Sequence, residues 1–287
     1  MSKHQILIAG CGDIGSALGC ELAAQGHRIA GLRRNINQLP PVIQGIAADL
    51  CNLPVLQQTL QQLTNKIDIV VYAVAAGKRD EQRYREAYPE GLKNLLTALQ
   101  NSGHTPKQLL FVSSTAVYQQ SEHQWIDETS ATEPEGFSGQ IMLQAEQLAL
   151  NNAIPGCVVR FSGIYGPGRN YMLNQVSQGI GYPQAPLSYS NRIHRDDCVG
   201  VLQHLIDKVG NETLEPVYLA SDCSPTPLHE VTDWLAEQLG TTITEPSARR
   251  VIGSKRCNNQ RLLDSGYQFK FPDFRQGYQQ LIKDFSA

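Results

Sequence analysis

Gly10, Gly12 and Gly15 follow the apolar run Ile6-Leu7-Ile8 and precede a helical pattern. In the strand, turn and helix that this order predicts, Gly10 permits the tight turn and Gly12 lets backbone come close to a pyrophosphate. Gly15 lets helix and strand pack together. Asp13 and Ile14 open the helix, whose free N–H groups and positive dipole end face an anion. Asp13 is expected to face solvent, because a carboxylate aimed into the loop repels phosphate. A glycine-rich turn without a ligand uses the same residues, so the spacing alone leaves both readings open. Arg33 and Arg34 end the next apolar run, roughly twenty residues past the glycines, where an acidic residue accepts hydrogen bonds from an adenosine ribose and arginine instead suits a 2′-phosphate. The pair favours NADP over NAD, against the alternative of two solvated arginines opening a loop. Further on, Ser113-Ser114-Thr115 end another apolar run; such hydroxyls can contact a reacting oxygen or simply cap a turn.

The elements that position these residues alternate regularly. Ile14, Leu18 and Leu22 recur at helical spacing before Gln25-Gly26, a strand follows over 28–32, and Val42 to Ala48 forms a third apolar run. Leu53, Leu56, Leu60 and Leu63 share one helix face. Ile69 to Ala76 is continuously apolar, as a central parallel strand covered on both faces requires, and its small carboxyl-end residues leave room in a crevice. Leu92, Leu95, Leu96 and Leu99 mark another helix, Leu109 to Val112 the fifth strand, 137–150 a further helix and Cys157 to Val159 the next strand. This alternation predicts an α/β fold with right-handed crossovers and a doubly wound parallel sheet.

The chain of 287 residues has a formal charge of −3 with both signs interspersed, which gives no support to a nucleic-acid or membrane-surface role. The seven cysteines are scattered without a C-x-x-C pair, which argues for reduced thiols in the cytoplasm and against a disulfide framework or metal site. Cys11 lies near a helix N-terminus, a setting that lowers a thiol pKa, but a small buried residue is the plainer reading. The N-terminal apolar run is too short for a signal peptide, and no stretch reaches membrane-spanning length. The expected partners are a small-molecule substrate and, where the chain assembles at all, a second copy forming a homodimer.

The segments GCGDIG, SSTAVY, VVRFSGIYGPGR, RIHRDD and ASDCSPTPLHEVTDWLAEQLG occur in this order along essentially the full chain. Together they resemble the extended and atypical short-chain dehydrogenase/reductases, and within them the NAD-dependent epimerase/dehydratase family. The resemblance implies a Rossmann domain over 1–165 that takes back about 192–221, with a smaller C-terminal substrate-binding lobe formed by 166–191 and 222–287. It implies NADP or NAD in the glycine loop, Asp49 and Leu50 near the adenine, and Ala73, Val74 and Ala75 lining the path to the nicotinamide. Ser114 matches the family's active-site Ser/Thr.

The resemblance also implies a Tyr acid/base followed four residues later by a Lys, and here the chain departs. Counting back from Glu146 puts those roles at Ser138 and Met142, and between Glu128 and Val159 there is no Tyr, Lys or Arg. Counting from Gly91 puts Tyr88 where many relatives carry an asparagine. Tyr118 and Tyr165 remain as alternative acids. The insertion after Gly168 is short, so the substrate pocket is expected to be small or open, with Arg169, Arg192 and His194 as its candidate polar residues. Arg192 pairing with Asp196 or Asp197, and a merely structural His194, are the competing readings. Two functions follow: an NADP-preferring oxidoreductase or epimerase acting on a small carbonyl or sugar-like substrate, or a non-catalytic cofactor-binding regulatory or scaffold protein.

Overall fold

The computed structural model describes residues 3–247 and 254–286. β1 (Gln5–Ala9), β2 (Arg28–Arg33), β3 (Gln44–Ala47), β4 (Ile69–Tyr72) and β5 (Gln108–Ser114) join Gly156–Phe161 and Val217–Ala220 in a seven-stranded sheet. Its order is Val217–Ala220, Gly156–Phe161, β5, β4, β1, β2, β3, and every pairing from β3 through β5 is parallel. The chain winds outward from β1 to β3 and then restarts at β4 on the other side of β1. That reversal is the switch point at which an open α/β sheet binds ligand. The continuous apolar runs are explained by burial, since every residue of β1 and β4 is buried.

Helices α1 (Asp13–Ala24), α2 (Leu53–Gln61), α4 (Gly91–Asn101) and α5 (Phe137–Leu150) supply the crossovers. α1 buries Gly15, Leu18, Gly19 and Leu22 on one stripe. α2 starts where Asn52 accepts the Val55 N–H at 3.3 Å, satisfying one of the donors that a helix start leaves open. Two segments differ from the sequence expectation. The apolar run 69–76 is strand only to Tyr72, because its neighbour β1 ends opposite Tyr72, at Ala9. Ahead of α4 lies a short helix α3 (Glu81–Arg85) and then a π-helical turn, Glu86–Glu90, that contains Pro89.

The chain divides into two compact units, one formed by 1–117, 132–160 and 199–218, the other by 118–131, 161–198 and 219–287. Segments 118–131, 161–165, 192–198 and 219–221 therefore group with the second unit, whereas the sequence suggests the dinucleotide domain for them. The cause is strand pairing that the sequence does not announce: Trp125–Ile126 pairs with Arg256–Cys257, and Arg192–His194 with Gly163–Tyr165. In the second unit, Leu173 and Val176 of the helix Tyr171–Ser177, Val231 and Leu235 of Leu228–Leu239, and Phe274 of Phe274–Ser286 form one apolar core.

Candidate functional site

The glycine turn could hold a dinucleotide. Gly10 sits at φ +93°, and a Cβ there would lie 2.6 Å from the Ala73 carbonyl and the Val74 nitrogen, so side-chain-free backbone is needed for the turn to meet the end of β4. A Cβ at Gly15 would overlap the Gly10 carbonyl oxygen. Gly12 is the opposite case: a Cβ there would meet nothing within 4 Å, and no side chain caps α1. Open space beside an uncapped helix start is what a bound pyrophosphate fills. Asp13 is exposed, as its charge demands, while Ile14 is half-buried.

Arg33 folds back onto this turn. Its Nη1 donates to the Cys11 carbonyl at 3.0 Å and its Nη2 to Gln38 Oε1 at 2.6 Å, so the guanidinium lies beside the glycine loop; Arg34 is exposed. Cys11 is buried, and burial pushes its thiol up to about 12, which leaves no reactive thiolate. Asp49 Oδ1 accepts the Cys51 N–H at 2.9 Å, and the Leu50 carbonyl accepts from Asn94 at 2.7 Å. These bonds fix the bend after β3 where an adenine is expected. Ala73 and Val74 are half-buried and Ala75 exposed, at the carboxyl end of β4.

Ser114 closes β5 half-buried, and its Oγ accepts the Ala116 N–H at 3.2 Å. The hydroxyl thus caps a turn and still has its hydrogen to offer. One residue earlier, Ser113 donates to Glu146 Oε1 at 2.5 Å, and Arg160 grips the same carboxylate through Nη2 at 2.7 Å and Nε at 3.0 Å. This buried group pins α5 against β5 and fixes the register of the helix. Ser138 is therefore half-buried one residue into α5, and Met142 is buried one turn before Glu146. Neither can supply the charge or the acidity of a Tyr and Lys pair.

The phenols in this unit do not stand in by titration. Tyr72 donates to the Ala87 carbonyl at 2.6 Å, and burial holds its pKa well above the usual value. Burial also raises Tyr88, against which the Ala76 N–H at its hydroxyl works only partly. Tyr88 lies in the π-helical turn, and Tyr84 meets both Tyr88 and Phe137 edge to face, at 5.2 and 5.5 Å. Sequence periodicity missed this group; the available signal was Pro89 next to an apolar stripe, a place where π-turns often mark function.

In the second unit, Tyr118 donates its hydroxyl proton to the Asp127 carbonyl at 2.8 Å, a packing bond that takes it out of the acid role proposed for it. Tyr165 is buried, and burial holds its pKa far above the phenol range. His194 is buried with its Nδ1 accepting the Asp196 N–H at 3.2 Å, and burial lowers its pKa, so it is a neutral structural histidine. Arg169 lies on the exposed turn after Gly168. Arg192 is buried and pairs with neither aspartate suggested for it. The Asp197 carboxylate accepts from Tyr267 and from the Lys270 and Phe271 N–H groups, and Asp196 faces Arg195 at 2.9 Å.

Among the described residues no cluster of His, Cys, Asp or Glu could hold a metal, and all seven cysteines are free. No described helix is long and apolar enough to cross a membrane.

Comparison with known proteins agrees with this geometry. Residues 6–181 match the model of the NAD dependent epimerase/dehydratase family. A structure from Methylobacillus flagellatus, described as an NAD-dependent epimerase/dehydratase, is 38% identical over 100% of both chains, with a TM-score of 0.85. A 3-diazoavenalumate denitrifying reductase from Streptomyces is 22% identical over 87% of each chain. The dTDP-glucose 4,6-dehydratase of Bacillus anthracis, solved with NAD, shares the fold at 18% identity, a TM-score of 0.81 and coverage of 99% of this chain and 96% of that one. With its open glycine turn and its Rossmann strand order, the chain belongs to the NAD-dependent epimerase/dehydratase family.

Proposed function

We propose that the protein is an NADP-preferring oxidoreductase of a small carbonyl or sugar-like substrate that works without the Tyr-x-x-x-Lys pair. The observation that carries this reading is the Arg33 guanidinium laid against the glycine turn, 3.0 Å from the Cys11 carbonyl. A cation held there matches a 2′-phosphate, which NAD lacks. The name of the Streptomyces relative, a reductase, favours redox chemistry over epimerisation.

When bound, the dinucleotide supplies hydride exchange at its nicotinamide. The chain's own residues bind and orient. Gly10, Gly12 and Gly15 with the N–H groups of Asp13 and Ile14 receive the pyrophosphate, and Arg33 and Arg34 the 2′-phosphate. Asp49 and Leu50 flank the adenine, and Ala73, Val74 and Ala75 line the way to the nicotinamide. Ser114 offers its hydroxyl hydrogen to the substrate oxygen. A serine keeps that proton near neutral pH, so its part is orientation. The free cysteines suit a reducing cytoplasm.

Ser138 and Met142 favour a second reading, a cofactor-binding protein without catalysis. Stopped-flow absorbance with NADPH and a panel of aldehydes, ketones and imines separates the two. The first reading expects saturable cofactor oxidation that Ser114→Ala slows; tight cofactor binding with no oxidation by any acceptor supports the second.

A further inference from the structure

We infer that the interior of the second unit holds a carboxylate-binding site built from Arg192, Tyr165 and Asp222. The site does not depend on the cofactor reading and lies entirely within this unit.

Four polar atoms there are buried without a hydrogen-bond partner: Nη1 and Nη2 of Arg192, the Tyr165 hydroxyl and Oδ2 of Asp222. The three residues are 4%, 5% and 0% exposed. A buried guanidinium with both terminal nitrogens unpaired is among the costliest arrangements in a protein interior, and native structures leave few such groups uncompleted. Neighbouring acids do not complete it, because Asp197 is saturated by Tyr267, Lys270 and Phe271, and Asp196 faces Arg195.

Backbone pairing brings the three together. Arg192 stands opposite Gly163 in the short ladder that ends with His194 opposite Tyr165, and the Asp222 N–H donates to the Arg192 carbonyl at 2.7 Å. Phe274 lies under the guanidinium, 5.2 Å from its carbon, and Tyr278 stacks on Tyr165 at 4.7 Å. A planar fork set on an aromatic face presents two parallel N–H donors, the geometry that grips a carboxylate at two points.

The other two groups match the same ligand. Tyr165 stays protonated and is a donor. Burial lifts Asp222 to about 7, a rise opposed by Arg192 and reinforced by Asp273 and Asp197, the charged groups that face it. With its proton Asp222 adds a further donor; ionised, it repels the ligand. Carboxylate binding is therefore linked to the proton on Asp222 and is favoured below about pH 7.

The test uses the full chain with sodium formate and sodium acetate as probes, followed by thermal shift and calorimetry, with phosphate and chloride at equal ionic strength as controls. The wild type should bind formate or acetate at pH 6 and roughly thirtyfold more weakly at pH 8.5, the ratio set by one proton on a group titrating near 7. Asp222→Asn should flatten that dependence. Arg192→Met should lose the response and keep or raise its Tm without ligand, since an unpaired buried charge is gone. Absence of any carboxylate response in the wild type overturns the inference. A response kept by Arg192→Met, or one shown by phosphate alone, overturns it too. If Arg192→Met fails to fold, the wild-type pH dependence and Asp222→Asn still decide, and a response independent of pH in both refutes the assignment.

Discussion

Replacing Glu146 by Gln removes one charge from the most deeply buried ion pair described in the protein. The Glu146 side chain is 1% exposed and that of Arg160 6%, at 2.7 Å from Nη2 to Oε2. Gln keeps the shape and one acceptor for Ser113, but it sets an amide against the guanidinium and takes away the negative charge that faces the buried Arg160. Breaking one side of such a pair costs about 3–5 kcal/mol, a large part of a typical total stability of about 5–15 kcal/mol. Urea unfolding followed by far-ultraviolet circular dichroism should show this as a fall in the midpoint at unchanged slope. The double replacement Glu146→Leu with Arg160→Met should recover most of the loss, because no charge remains buried. A loss below about 1 kcal/mol for Glu146→Gln, in the range of exposed pairs, would refute the argument that this pair pins α5 in register.

Arg33→Ala should weaken NADP binding by roughly 10–100-fold, the loss of one charge-assisted contact, and change NAD binding much less; equal losses in calorimetry would mean that Arg33 only props the Cys11 carbonyl. Gly10→Ala should destabilise the protein by about 2–4 kcal/mol, combining a left-handed φ with a clash against Ala73, and abolish cofactor-induced thermal shifts. Asp222 has a folded pKa of about 7, above its unfolded value, so its favourable contribution is complete below about pH 4 and is lost as pH rises to about 7, at about 1.4 kcal/mol per pH unit. Asp222→Asn should remove that slope in urea titrations between those limits, and an unchanged slope would contradict the burial argument.

The parts of this fold that announce themselves in the sequence are those whose chemistry is local. β1, α1 and the glycine turn were readable because burial imposes apolar runs and only glycine tolerates the backbone contact at Gly10. α5 likewise carries its boundaries, Phe137–Leu150, in its apolar stripe. What stayed hidden depends on residues far apart in the chain. Ser113, Glu146 and Arg160 are individually ordinary polar residues until the fold closes them into one buried group. RIHRDD suggests a pocket arginine or an ion pair from Arg192 to Asp196 or Asp197, yet Arg192 is buried over the ring of Phe274, eighty-two positions later. The strand at 69–72 was overread because apolar character continues past the last residue that finds a pairing partner. Departure from the family's acid/base pair is legible without any register, because no Tyr, Lys or Arg lies between Glu128 and Val159.

The central claim is that the glycine turn with Arg33 beside it holds a phosphorylated dinucleotide. Calorimetric titration of the purified chain with NADP and NAD, each oxidised and reduced, tests it most directly. Saturable one-site binding is expected, with the phosphorylated forms tighter by roughly tenfold or more. Binding of NAD in preference to NADP would contradict the role given to Arg33, and no binding by any of the four would contradict the site itself.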